Sequence, residues 1–327
     1  MQLTITEISA LALRVIRSAG YDATEAAVIV DHLMDCELRG MSYGGLSRAL
    51  TVHERLTKTG RTTHKPKVVH ETASSARIDG ADEVGYLVAS TATQTAIEKA
   101  EAHGLSIVGA ANTWCSGMNS YYLERVAAAG LIGLVIASGG PMVAPFGSTE
   151  AKLGTNPIAL GFPTNSEPVI WDIGTSSIML AEAILAVSAG RQIAPGLAYG
   201  PDGSPTLNPS AALEGAFVAW GGHKGSGLAV MVQMLGFLAG AEVEPAYLTD
   251  HAYLIIVIDP GIFGDERVAI DNASKFVERI RNAHPLDAEI PIQLPFDGSR
   301  QRRQTALKRG WIEVDDTVVA RARALAG

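Results

Sequence analysis

Residues 221–227 read Gly-Gly-His-Lys-Gly-Ser-Gly and run straight into Leu228-Ala229-Val230-Met231-Val232. The run is apolar on nearly every helical face, which predicts a buried helix. A helix that must start at a glycine-rich turn and then be buried constrains the fold strongly. Its first turn carries partial positive charge and unpaired N–H groups. His223 and Lys224, just before that turn, are badly placed electrostatically unless an anion sits there. The glycines let the backbone approach such an anion closely. A phosphate or carboxylate site is the economical reading. The plainer one is a loop with Lys224 solvated and His223 capping locally. No GxxxxGK precedes the helix and no GxGxxG follows a strand, so neither a Walker loop nor the ordinary Rossmann fingerprint is present.

The rest of the composition narrows the class. With 327 residues, 47% hydrophobic and 18% charged, the chain has enough apolar surface for one large or two small globular domains. A net charge of −8 argues against a general nucleic-acid or membrane-surface binder. Cys36 and Cys115 are the only cysteines, so there is neither a disulfide framework nor zinc-ligand spacing. The N-terminus lacks the basic and apolar regions of a signal peptide. The apolar stretch from Leu228 to Ala241 is short and interrupted by Gln233, too little to span a bilayer. A soluble cytoplasmic protein is expected.

Periodicity predicts amphipathic helices over 6–18 and 24–38, the second capped by Asp22 or Thr24 and ended by Gly40. A third, 86–103, is lined by Val88, Ala92, Ala96 and Ala100 and stopped by Gly104. Strands are predicted at Leu105–Ala110 and Leu131–Ala137, with a helix over 119–129 between them. That pattern reads as a parallel strand–helix–strand unit. Short strands at Ile158–Phe162, Pro168–Trp171 and Tyr253–Ile258 follow. Helices are expected at 177–189 and 266–283, and a turn-rich loop at 196–212.

Four segments could carry chemistry. In Leu38–Arg48, Arg48 either grips a carboxylate bidentately or simply begins the next helix and pairs with a surface acid. These residues alone favour the second. In Asn112–Gly117, at a strand end, Cys115 reads more readily as a small buried hydrophobe than as a reactive thiol. In Gly154-Thr155-Asn156-Pro157, Thr155 and Asn156 offer short polar arms for an amide or a carboxylate, beside the simpler reading of a turn. In Trp171–Ser177 a strand ends at Asp172, which either organises a reacting centre or caps a helix.

Taken in order, the segments resemble the malate/L-lactate dehydrogenase family that lacks a Rossmann domain. That family includes ureidoglycolate, sulfolactate and diketogulonate enzymes and the Δ1-piperideine-2-carboxylate/Δ1-pyrroline-2-carboxylate reductases. The resemblance is carried by Arg39-Gly40 with Arg48, Leu153–Pro157, Asp172–Ser176 and Gly221–Gly225. Ala144-Pro145-Phe146-Gly147 and Ile256–Pro260 fit as well. It implies a family-specific α/β fold, non-Rossmann and NAD(P)-binding, with a mixed sheet and helical N- and C-terminal segments. A helical lobe of 1–60 with 265–327 and a cofactor-binding lobe of 66–264, interleaved, are expected. The resemblance further implies an intimate homodimer and NADPH or NADH as cofactor. Gly154, Thr175, Ser176, His223, Lys224 and Gly225 are the expected cofactor contacts. Arg48, with Thr155 and Asn156, is expected to bind the substrate, and Asp172 to act at the reacting centre.

Two departures bear on the reaction. The family's Ser-His-Gly is here Tyr43-Gly44-Gly45, and its Ser-Asn-His-Phe-Gly is Thr113-Trp114-Cys115-Ser116-Gly117. Gly44 and Cys115 therefore stand where the resemblance places imidazoles. Ketone reduction needs a general acid for the alkoxide, and a His suits it. A protonated imine already carries its proton. The expectation is NAD(P)H-dependent reduction of a small cyclic α-imino acid. The alternatives are a 2-oxo acid reductase with Tyr43 as substitute acid, and a non-catalytic dinucleotide-binding relative.

Overall fold

The computed structural model describes residues 1–246 and 248–326. At the N-terminus the helices Ile5–Ser18, Ala23–Leu38 and Leu46–Thr59 pack together and against Asp316–Leu325 near the C-terminus. Two capping boxes set their starts, Thr4 with Glu7 and Asp22 with Glu25. Asp22, not Thr24, is the cap of the second helix. Ile8, Leu11 and Val15 meet Ile29, Leu33 and Val319 in one apolar cluster. Each such buried side chain contributes about 1.5–3 kcal/mol.

The centre is a seven-stranded mixed sheet. Its spatial order is Lys67–Glu71, Ser75–Val84, Leu105–Trp114, His251–Ile258, Ile132–Ser138, Ile158–Phe162, Val169–Ile173. Only the pair 75–84 and 105–114 runs parallel; every other neighbouring pair is antiparallel. The expected parallel unit of 105–110 and 131–137 is therefore not a direct pair. Strand 251–258 lies between the two, antiparallel to both. The true parallel unit is 75–84, helix Gly85–His103, then 105–114. Strand 75–84 escapes a reading by pattern because Arg77, Asp79, Asp82 and Glu83 break its apolar run. Helix 85–103 lays Val88, Ala92, Ala96 and Ala100 on the sheet and stops at Gly104, as expected, with φ +80° there.

The opposite sheet face carries the helix His223–Ala239. It buries Ala229, Val232, Gly236 and Ala239, but Met231, Met234, Phe237 and Leu238 are exposed. The expected all-round burial is thus corrected to a half-buried helix with an apolar outer face. A small sheet of 143–144, 216–218 and 198–199 sits beside its start. The helix predicted at 177–189 runs from Leu180 to Ser188. The turn-rich 196–212 region also contains the short helix Pro209–Glu214. Helix Glu266–Arg281 has no buried residue. The basic tail is used internally: Arg303 pairs with Asp35 at 2.7 Å, Arg300 with Glu167 at 3.0 Å, and Arg302 donates to the Arg39 carbonyl at 2.7 Å. Among the described residues no helix is long and apolar enough to cross a membrane.

Candidate active site

A cleft of about 540 Å3 opens where strands 105–114, 132–138 and 169–173 end and strand 251–258 begins. The segment from Met41 to Arg48 forms one wall and Pro295–Arg302 another. Tyr43, Arg48, Cys115, Thr155, Asp172 and Ser176 all border it. Residues that are far apart in sequence meet here because strand ends on one side of a sheet converge.

Asp172, near the end of the edge strand, turns its carboxylate onto the first turn of the helix Asn119–Ala128. Oδ2 accepts from the Ser120 N–H at 2.8 Å, and the Ser120 hydroxyl and Asn119 N–H also donate to the carboxylate. Burial raises the carboxyl above the usual aspartate value, and these donors oppose the shift. Tyr43 feels Asp172 and Arg48 together. Burial chiefly, then the neighbouring Cys36 and Asp172, push its phenol up to about 12, while Arg48 acts the other way. Tyr43 is therefore a neutral phenol near pH 7, with its hydroxyl 3.5 Å from the Met179 sulfur.

The Met41–Arg48 wall is set by the helix before it. The Glu37 carboxylate accepts from the Leu46 N–H at 2.7 Å, and burial pushes Glu37 up to about 7. A Cβ at Gly45 would fall 2.2 Å from that carboxylate, and one at Gly44 would lie 3.0 Å from Cys36 Sγ. A larger residue at either position must displace the Cys36 or Glu37 side chain. Arg48 does begin a helix, in the first turn of 46–59, and it also borders the cleft. Arg39 is fully buried and paired with Asp35 at 2.7 Å and Glu124 at 2.5 Å, behind the wall.

The three candidate cofactor segments are knitted into one unit. Thr175 donates to the Thr155 carbonyl through its N–H at 2.9 Å and its hydroxyl at 3.0 Å. Its own carbonyl accepts from the Trp220 N–H at 2.8 Å. Thr155 and Ser176 face the cleft, whereas Gly154, Asn156 and Thr175 are buried behind it. The Asn156 Nδ2 donates to the Ala229 carbonyl and Gln233 Oε1, both at 2.9 Å, so its amide braces the helix 223–239 rather than reaching the cleft.

The helix expected after Gly227 already begins at His223, so His223 and Lys224 lie within its first turn. Both are exposed and stand outside the cleft. No side chain caps this helix start. Gly222 precedes it with φ +63°, and nothing lies within 4 Å of a Cβ placed on Gly221 or Gly227. Free N–H groups, two basic side chains and an open backbone approach fit a dinucleotide phosphate. Gly225 is required by packing, since a Cβ there would overlap the Trp220 carbonyl.

Two cleft residues are not marked by any sequence motif. Asn119 opens its helix without a periodic or motif signal. His251 starts a central strand as an isolated polar residue before an apolar run. Burial chiefly, and Arg55 next, hold His251 down at about 4, so this imidazole is neutral at pH 7.

The cleft thus sets the half-buried Asp172 carboxyl, near a strand end of a mixed α/β sheet, across from Arg48 on the helix 46–59, an arrangement that is not a Rossmann site. The malate/L-lactate dehydrogenase family matches residues 3–322, and the chain belongs to that family. L-sulfolactate dehydrogenase of Methanocaldococcus jannaschii is 30% identical over 315 residues, covering 93% of this chain and 90% of that one. Delta(1)-pyrroline-2-carboxylate reductase 1 of Burkholderia ambifaria is 32% identical over 316 residues, covering 90% of each. The crystal structure of a dehydrogenase from Sinorhizobium meliloti superposes with a TM-score of 0.94 at 31% identity, covering 100% of this chain and 98% of that one. Relatives near this level of identity thus divide between hydroxy-acid dehydrogenases and imine reductases.

Proposed function

We propose that the protein reduces a small cyclic α-imino acid, of the Δ1-pyrroline-2-carboxylate or Δ1-piperideine-2-carboxylate type, to the amino acid. The observation that carries this reading is that Arg48 and Asp172 border one cleft that has no imidazole at position 44 or 115. A protonated cyclic imino acid is a zwitterion. Its carboxylate suits the planar guanidinium of Arg48, and its iminium suits the half-buried carboxylate of Asp172. NADH or NADPH, when bound, supplies a hydride. His223, Lys224 and Gly225 would hold its phosphate, with Thr155 and Ser176 nearer the reacting end. As the C=N bond is reduced, its π pair ends on a nitrogen that already carries a proton. The chain then has to orient the ring and exclude water, and need not deliver an acid.

A second reading, reduction of a 2-oxo acid, is favoured by the raised carboxyl of Asp172, which could serve as acid with Tyr43. A comparison of kcat/KM for the two cyclic imines against pyruvate and oxaloacetate, with each cofactor, decides between them. Faster turnover of a 2-oxo acid would replace the first reading by the second. Cofactor binding without turnover of any of them would leave a dinucleotide-binding protein.

We also infer a homodimer. The outer face of helix 223–239 exposes Met231, Met234, Phe237 and Leu238, and helix 266–281 buries nothing and exposes Val268 and Phe276. Contiguous apolar faces of this kind mark interaction surfaces. Light scattering at micromolar concentration tests the dimer, and a monomer there would refute it.

A further inference from the structure

Among the described residues that line the cleft, His251 carries the one imidazole. It opens the central strand, with its Cα opposite that of Thr113 on one side, and the next residue, Ala252, faces Ser138 on the other. Its ring lies over the bare Cα of Gly139, where a Cβ would fall 3.1 Å from Nε2 and 3.2 Å from Cε1. Any larger residue at 139 would press on the ring. Gly139 lines the cleft as well. Neither ring nitrogen meets a hydrogen-bond partner among the described residues, and neither is among the unpaired polar atoms sealed from solvent. The imidazole is thus open to the cleft and unanswered, unlike the sealed hydroxyl of Ser138.

The neighbours of His251 fix which end of the cleft it serves. A Cβ on Gly154 would fall 2.8 Å from the Gly139 carbonyl oxygen and 3.0 Å from its nitrogen, so the two backbones touch. Thr155 follows, faces the cleft and is tied to Thr175. The imidazole therefore sits with the segments that line the reacting end of the cofactor in the reading above. In that reading Arg48 and Asp172 answer the charged groups of the substrate. The neutral polar group left to be recognised is the carboxamide of nicotinamide. A neutral imidazole offers one N–H donor and one acceptor nitrogen, and a carboxamide can partner either. Burial, then Arg55, keeps the ring uncharged at pH 7. A charged ring would repel the oxidised nicotinamide, which is a cation.

We propose that His251 is a cofactor-positioning residue that hydrogen-bonds the nicotinamide carboxamide and so fixes how that ring lies in the cleft. This rests on the NAD(P)-binding reading above and not on the choice of imine as substrate.

The test is calorimetric binding to the full chain without substrate, comparing NADH and NADPH with ADP-ribose, which lacks the nicotinamide. His251→Leu should weaken binding of the dinucleotide that the wild-type protein prefers by about three- to tenfold, the loss of one neutral hydrogen bond. Its affinity for ADP-ribose should be unchanged. His251→Gln, whose amide can reach the place of Nε2, should recover most of the dinucleotide affinity. Equal losses for dinucleotide and ADP-ribose would mean that the side chain supports the cleft and not the nicotinamide. A Gln variant as weak as the Leu variant would mean that the ring acts by packing. Unchanged dinucleotide affinity in His251→Leu would mean no contact. Each of these overturns the proposal while leaving the cofactor reading in place. A wild-type protein that binds neither dinucleotide refutes both. Failure to turn over a cyclic imine touches neither.

Discussion

Asp172 Oδ2 sits 2.8 Å from the backbone nitrogen of Ser120, which ties the sheet's edge strand to the start of the helix that follows strand 105–114. That helix terminus supplies N–H groups and partial positive charge to a carboxylate otherwise penalised by burial. The bond spans 52 positions in sequence and sets the electrostatics at one end of the cleft.

Asp172→Asn keeps the shape and removes the charge. With a cyclic imino acid, kcat/KM should fall by about tenfold or more, because the charge-assisted contact that holds the iminium is lost. Steady-state kinetics at saturating cofactor measure this. A loss below about threefold would place the iminium elsewhere.

Arg48→Lys retains the charge but not the planar fork. KM for carboxylate substrates should rise at least about tenfold while cofactor affinity stays constant. An amide analogue of the substrate that performs as well as the acid in the wild-type protein would show that Arg48 is misassigned.

Lys224→Glu reverses one charge at the open helix start of 223–239. Fluorescence titration should report cofactor binding weaker by about tenfold or more. Unchanged affinity in a folded variant would remove the phosphate from this terminus.

Gly44→His, intended to place an imidazole on the Met41–Arg48 wall in addition to His251, meets Cys36 Sγ, which would lie 3.0 Å from the new Cβ. The single variant should lose about 1–3 kcal/mol of stability through overpacking. Gly44→His with Cys36→Ala removes the Sγ contact but keeps the Cys36 Cβ at 3.1 Å, so it should regain part of that stability and raise kcat/KM for a 2-oxo acid by about tenfold or more. Flat ketone turnover in a stable double variant would mean that proton donation is not what limits that reaction.

Glu37 links the same wall to pH. Burial lifts its carboxyl from 4.5 to about 7. The folded state thus binds the proton more tightly than the unfolded chain. Its contribution to stability is full below about pH 4.5, declines as pH rises, and is gone above about pH 7, a change of up to about 3 kcal/mol. Urea unfolding at pH 5 and pH 8 should show this loss in the wild-type protein and a flatter profile in Glu37→Gln. Parallel profiles would mean that Glu37 is ionised throughout.

The helices 5–18, 23–38 and 85–103 were legible because their apolar spacing, caps and stops are local properties of a few neighbouring residues. The glycine-bearing segments at 154, 172–176 and 221–225 stood out as candidates because helix-start chemistry is written in adjacent residues, but only the fold puts Gly154 and Thr175 behind the cleft and starts the helix at His223. Strand 251–258 was legible as a strand, but its place between 105–114 and 132–138 was not. Apolar alternation says that a strand is buried and does not name its partners, which lie more than 110 positions away. Hydrophobicity likewise left open which side of helix 223–239 meets the sheet. The same limit governs the cleft. Asp172, Arg48 and Tyr43 were each visible as candidates, whereas Asn156 turned out to brace a helix. The unpaired ring of His251 over Gly139 and the contact of Gly44 with Cys36 had no sequence signal at all. Both depend on what the folded chain places, or fails to place, within hydrogen-bond or van der Waals distance, and only tertiary packing decides that.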